Sequence, residues 1–314
     1  MLSILVIVLP IFALILAGWG ARRSGVLGPN ATGELNRFVV HLALPALLFD
    51  IVAGAHWQAL WQPGFIGAVG LAAGIVFAGT VLVRVRRHGL ADAAVDGLNA
   101  AYANNGFIGF PLAAAVFGRV ALAPTLIAVI LTVCILFAIA LILIEVGVQA
   151  GAPGGAGRGR MIARVATSVG RNPLVIAPAA GALVLASGVA MPVPVETFLK
   201  LLGGAASPCA LVALGLFLAE KRATAPPPVR AVAGLVALKL IAVPALTWLL
   251  ATRVFALSAP MTHIAVLLAA LPTGTGPFMV AEYYRREAGL TARVVLVSTV
   301  LSLATITAYL AMVR

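Results

Sequence analysis

The sequence predicts an all-α polytopic membrane protein: ten transmembrane helices in a five-plus-five inverted repeat, with helices 4 and 9 broken and crossing at the midplane. Three observations carry that expectation. The 314 residues are 62% hydrophobic and only 10% charged. A soluble domain carries roughly 25% charged residues, so most of this surface must face lipid or other apolar spans. Apolar runs long enough to cross a bilayer recur along the whole chain, separated by short basic loops. Two of the runs are interrupted in matching fashion, at Asn104-Asn105-Gly106-Phe107-Ile108-Gly109-Phe110-Pro111 and at Leu271-Pro272-Thr273-Gly274-Thr275-Gly276-Pro277-Phe278.

A helix crosses hydrocarbon in about 20 residues. That ruler gives spans at 3–20, 33–53, 63–83, 93–117, 121–146, 173–188, 193–219, 228–251, 261–283 and 291–313. The first has no basic residue before its apolar run and is followed by Arg22 and Arg23, so it reads as an uncleaved span, not a signal peptide. Span 2 carries Pro45 near its middle, and span 4 holds the first interruption. The first repeat is then 1–148 and the second 173–314, joined by a cytoplasmic linker at 149–172. The linker opens glycine-rich, from Gly151 to Gly159, and should be flexible there. Beyond it, Met161, Ile162 and Val165 alternate with Arg160 and Arg164, as in a short helix on the inner membrane surface or a plain solvated connection. Span 6 is short and bears Pro173 and Pro178; span 7 carries Pro208, span 8 Lys239, and span 9 the second interruption.

An outside N-terminus puts loops 1–2, 3–4, 5–6, 7–8 and 9–10 in the cytoplasm and both termini outside. Those loops and the span ends beside them hold 15 of the 21 Lys and Arg residues, as the positive-inside rule requires. The net charge of +12 is therefore an orientation signal. It forms no single patch of the kind nucleic acid needs. Cys134 and Cys209 fall inside apolar spans and read as small buried hydrophobes. His41 and His263 have no second ligand at metal spacing, so neither a metal nor another cofactor is expected. With no HExxH, no GxSxG and no facing carboxylates in the spans, the catalytic vocabulary of an intramembrane enzyme is missing.

Five spans on each side of the linker must point in opposite directions. Pro45 aligns with Pro208, which sets Arg37 on Lys200, and Pro111 aligns with Pro277 at nearly the same offset. Pro111 and Pro277 each start a half-helix, since proline lacks an N–H and the preceding glycines let the chain unwind. Helix N-termini carry partial positive charge and free N–H donors, which suits a carboxylate. The expected substrate site is Asn99, Asn104, Asn105, Gly106, Gly109, Pro111, Thr273, Gly274, Thr275, Gly276 and Pro277. The alternative for the Asn and Thr side chains is that they only satisfy kinked backbone. Lys239 stands about eleven residues into span 8, roughly 16 Å deep at 1.5 Å per residue. It supplies charge for an anion, replaces a bound cation, or pairs structurally with a carbonyl or carboxylate. Asp50, near the outer end of span 2, takes up a proton or caps the interface. Arg37 and Lys200 lie early in their spans and are expected to snorkel.

At these residues the chain resembles the auxin efflux carrier family, in its bacterial organic-acid members and plant auxin exporters alike. Asn99, Asn104, Gly109 and Pro111 meet its Asn-x4-Asn-x4-Gly-x-Pro pattern, and Leu271, Pro272, Gly274, Pro277, Phe278 and Ala281 meet that of span 9, with Tyr283 and Tyr284 following. Leu44-Pro45-Ala46-Leu47-Leu48-Phe49 looks like the bacterial members; plant members have a serine where Leu48 stands and an acidic residue in span 3, which 63–83 lacks. The resemblance implies an elevator-type carrier in a bacterial-type inner membrane, with spans 1, 2, 6 and 7 as a dimeric scaffold and spans 3–5 and 8–10 as the moving domain. Its substrate would be a small carboxylate such as malonate or malate ahead of an auxin-like indole acid. The alternative is a cation-coupled symporter of the bile-acid type.

Overall fold

The computed structural model describes residues 2–55, 57–150, 158–220 and 227–313. Residues 151–157 of the glycine-rich linker, Lys221, Arg222 and Arg314 lie outside the described residues. Among the described residues the regular structure is helical, apart from one antiparallel backbone bridge between Ala103 and Thr273. In order the helices are α1 (Leu2–Arg23), α2 (Ala31–Ala53), α3 (Pro63–Ala101), α4 (Phe110–Phe117), α5 (122–150) and α6 (Arg158–Arg171). The second half holds α7 (Pro173–Ser187), α8 (Val193–Ala219), α9 (Val229–Val254), α10 (Ala259–Ala269), α11 (Gly276–Tyr283) and α12 (Ala288–Val313).

Among the described residues, six helical stretches are long and apolar enough to cross a membrane, and α7 and α10 are shorter apolar helices. Six differs from the ten runs expected because α1 is not among the six, the runs at spans 6 and 9 form the shorter α7 and α10, and those at spans 3–5 form two stretches that continue through turns. Helix α3 extends through the expected loop at 84–92 and bends only at Gly89 (φ 78°), while the stretch Asn105–Ala150 reverses at Gly118 (φ 73°). Both positions have a left-handed backbone that suits glycine alone.

Proline follows three of the five widened turns among the described residues. Pro45, Pro111 and Pro244 each follow, by two residues, a widened π-type turn: Val39–Ala43, Asn105–Gly109 and Leu238–Ala242. Proline cannot donate to the carbonyl one turn back and its ring crowds that carbonyl, so the ladder opens by one residue to clear it.

Helix α1 lies along α8, and α2 packs against α7 and α8. Helix α3 packs on α5 and α9, and α9 in turn on α10 and α12. The closest approach joins α1 to α8. A Cβ on Gly18 would sit 2.1 Å from the Val212 carbonyl oxygen, and one on Gly215 would sit 1.9 Å from that of Ile15. Those neighbours are backbone and cannot swing away. Gly215→Ala is therefore expected to cost about 1–3 kcal/mol, read as a lowered unfolding temperature in detergent. Gly20→Ala, where nothing lies within 4 Å, serves as the silent control.

Polar ties close the helix ends. Thr32 Oγ1 donates to Glu220 Oε1 at 2.6 Å, with Arg22 3.8 Å from the same carboxylate. Arg84 binds Asp96 across the Gly89 bend, and Arg286 lies 3.6 Å from Asp92. The snorkelling pair expected at Arg37 and Lys200 each reaches a carboxylate on its own helix, Glu34 and Glu196 respectively.

Candidate functional site

The two interruptions meet. Helix α3 ends at Ala101, and the chain continues non-helical through Tyr102 to Asn104. Helix α10 ends at Ala269, and α11 begins only at Gly276. The segments between run antiparallel: Asn104 N–H donates to the Pro272 carbonyl at 2.9 Å, and Gly274 N–H to the Tyr102 carbonyl at 3.1 Å. Unwound backbone inside an apolar fold must find such partners. The helix ends freed by unwinding are met by side chains. Thr273 Oγ1 donates to the Asn99 carbonyl at 2.9 Å, and Lys239 Nζ to the Ala269 carbonyl at 2.7 Å. Pro277 falls in the first turn of α11, where the missing N–H costs nothing, whereas Pro111 follows the widened turn Asn105–Gly109 that opens its half-helix.

Gly274 and Gly276 lie against the Tyr102 ring. A Cβ on Gly274 would come 2.7 Å from Tyr102 Cε1, and one on Gly276 2.8 Å from the Tyr102 hydroxyl. Phe137 packs against the same ring, with centroids 5.7 Å apart, and also lies beside Gly276.

A cavity of about 310 Å³ opens beside this crossing. One wall comes from α2 (Val39, Leu44, Leu47, Ile51) and α8 (Gly203, Gly204, Ala206, Ser207, Ala210). The other comes from the crossing itself (Tyr102, Ala103, Asn104, Thr275, Gly276), from Gly106, Phe107 and Phe110, and from Val129, Val133 and Met279. Its lining contains no charged side chain. Its polar groups are the Asn104 amide, the hydroxyls of Tyr102, Ser207 and Thr275, and the opening turns at Gly106 and Gly276, whose first N–H groups have no partner within a helix.

Of the residues singled out from sequence, Asn104, Gly106, Thr275 and Gly276 line the cavity. Others support it from behind. Asn99 Nδ2 donates to Thr291 Oγ1 at 2.9 Å, and Asn105 Nδ2 donates to Thr132 Oγ1 at 2.9 Å and the Ala128 carbonyl at 3.3 Å. Thr273 is fully buried, held through its N–H by Ser298 Oγ at 3.1 Å. Gly109 packs against Leu268 and Leu271. Gly274, Pro111 and Pro277 shape the backbone without lining the cavity, and Lys239 and Asp50 also stand outside the lining. Asp50 has Lys200 and Glu196 as its charged neighbours.

Sequence reading missed Ser207 and Tyr102. Ser207 precedes Pro208 in an otherwise apolar stretch, a signal of the same kind that singled out the two interruptions. Tyr102 gave no such signal, since an aromatic residue in an apolar run reads as core. A second, more open cavity of about 650 Å³ lies near the linker and includes Arg171, Asn172, Tyr283 and Tyr284. There Tyr284 donates to Glu145 at 2.5 Å and Asn172 Nδ2 to the Tyr284 hydroxyl at 3.4 Å.

A family model described as "Membrane transport protein" matches residues 3–154 and 159–310. The chain belongs to this membrane transport family. It is the auxin efflux carrier type that the two interrupted motifs resemble, and the protein is a transporter, not an enzyme. The transporter is 31% identical over 313 residues to a protein of Rhizobium meliloti (strain 1021) named "Putative malonate transporter", covering 98% of this chain and 95% of that one. It is 32% identical over 113 residues to an "Uncharacterized transporter" of Methanothermobacter thermautotrophicus, covering 35% of this chain and 37% of the other.

Gly106 gives a clean probe of the cavity. A Cβ there meets nothing within 4 Å, so Gly106→Leu is expected to leave the unfolding temperature near that of the unmodified transporter while filling the space. Unchanged transport in a folded Gly106→Leu protein would argue against this cavity as the passage.

Proposed function

We propose that the transporter is a secondary carrier of small organic anions, carboxylates of the malonate or malate kind, working by elevator-type alternating access. The observation that carries this reading is the backbone crossing of residues 102–104 with 272–274, opening on a cavity lined by Asn104, Thr275, Ser207 and two half-helix starts. Partial charges and N–H groups at helix starts favour an anion without a buried side-chain cation, and broken helices of this kind build the sites of many carriers. The malonate name borne by the Rhizobium relative agrees with a carboxylate.

The packing supports a division of labour. Helices α1, α2, α7 and α8 form the scaffold, equivalent to spans 1, 2, 6 and 7, and the remaining spans form the moving body. The cavity lies where the two groups face each other, so sliding one past the other would carry a ligand with the crossing. Ten spans in two inverted repeats of five, both termini outside, a bacterial-type inner membrane as solvent and a scaffold-mediated homodimer complete the reading.

The direct test is flux in proteoliposomes against a panel of dicarboxylates and indole acids. Saturable uptake with counterflow for at least one carboxylate is expected. No saturable flux of any anion by protein shown to be folded would overturn the assignment.

A further inference from the structure

Lys239 is fully buried, yet it does not line the cavity where a substrate would meet it. It lies in the widened turn Leu238–Ala242 that Pro244 imposes on α9. Its ammonium donates to the Ala269 carbonyl, the last residue of α10, immediately before the chain unwinds into the crossing. Among the described residues no carboxylate stands within ion-pair distance of it. Val236, Leu240, Val243 and Val294 belong with Ala269 to one buried apolar cluster. A buried charge needs compensation, and here the compensating partner is the end of a helix. The last carbonyls of α10 lack intrahelical donors and carry the negative pole of the helix dipole. Half-helix C-terminal ends and unwound carbonyls are where carriers built on broken helices coordinate a coupling cation.

Resting on the carrier reading above, we infer that Lys239 is a built-in cation for the crossing. Its ammonium holds the carbonyl end of α10 where a free cation would otherwise bind, so the transporter works without sodium or another small monovalent cation. Lys239 is thus a positioning residue that acts on the substrate site through α10 and the paired backbone at 272–274. The other half-helix end needs no charge, because a neutral hydroxyl, that of Thr273, serves the Asn99 carbonyl. The inference separates the two carrier classes left open by sequence: a bile-acid-type symporter must import its cation, and this one carries it covalently.

The experiment removes the ammonium and offers a replacement. Purified transporter, Lys239→Ala and Lys239→Arg are compared in choline, sodium and ethylammonium chloride at equal ionic strength, reading unfolding temperature and, in proteoliposomes, carboxylate flux. The unmodified transporter and Lys239→Arg are expected to be indifferent to the cation. Lys239→Ala should lose roughly tenfold or more of its flux in choline. Sodium or ethylammonium should restore much of that flux and raise the unfolding temperature of this variant alone. Sodium-dependent flux or stability in the unmodified transporter would overturn the inference. So would a folded Lys239→Ala protein that transports normally in choline, or one that no cation rescues. The unfolding readout requires no transported substrate, so its failure is distinct from a failure to find the right anion.

Discussion

Asn104→Ala is expected to weaken carboxylate binding by about 1.5–3 kcal/mol, the usual worth of a hydrogen bond to a charged group, which is roughly 10- to 150-fold in Kd. The reason is position. The Asn104 backbone is already committed, through its N–H, to Pro272 and, through its carbonyl, to the N–H groups of Ile108 and Gly109. Asn104 lines the cavity, and its side chain makes no hydrogen bond among the described residues. The neighbouring Asn105 is the natural contrast, because its amide is spent on Ala128 and Thr132. Asn105→Ala should lower the unfolding temperature and leave the affinity of the remaining folded protein close to normal. Calorimetric titration of both variants separates the cases. Equal affinity in Asn104→Ala would remove that side chain from the site.

Gly274→Ala is expected to damage both stability and transport, at a cost of about 1–3 kcal/mol for the overpacking alone. The new Cβ would press on the Tyr102 ring at 2.7 and 3.0 Å, a ring that also packs against Phe137. Any shift of the backbone at Gly274 strains its hydrogen bond to the Tyr102 carbonyl. Combining it with Tyr102→Leu should recover part of the lost stability, a positive coupling in a double-mutant cycle. Strict additivity of the two substitutions in unfolding temperature would show that the ring is not what Gly274 accommodates.

How much of this was legible in the sequence follows from the range of the forces involved. The breaks before Pro111 and Pro277 were legible because a missing N–H and a run of glycines act on their own turn of chain. That the two breaks cross was expected from the inverted order of the spans; the hydrogen-bonded bridge between Ala103 and Thr273 was not. The direction of each side chain was not legible. Asn99, Asn104 and Asn105 look alike as letters, but Asn104, in the unwound segment, lines the cavity, while Asn99 in α3 and Asn105 in the widened turn hydrogen-bond Thr291 and Thr132. Lys239 was legible as a charge at depth, and the carbonyl contact left open by sequence is the one present, with Ala269. Its partner lies on another helix, which no spacing rule reaches. Ser207 carried a local signal, its place before Pro208, but the residues it faces across the cavity come from the far half of the chain.

The bridge between residues 102–104 and 272–274 also bears on how the molecule is made. Once the first half has left the ribosome and entered the bilayer, the Tyr102 carbonyl and the Asn104 N–H have no mates, and each such group costs several kcal/mol in hydrocarbon. Only delivery of Pro272 and Gly274 relieves them. A nascent chain cut short before that point stays unsealed at its centre and open to membrane quality-control proteases. Two halves synthesised as separate polypeptides would, by the same token, have a main-chain reason to find one another.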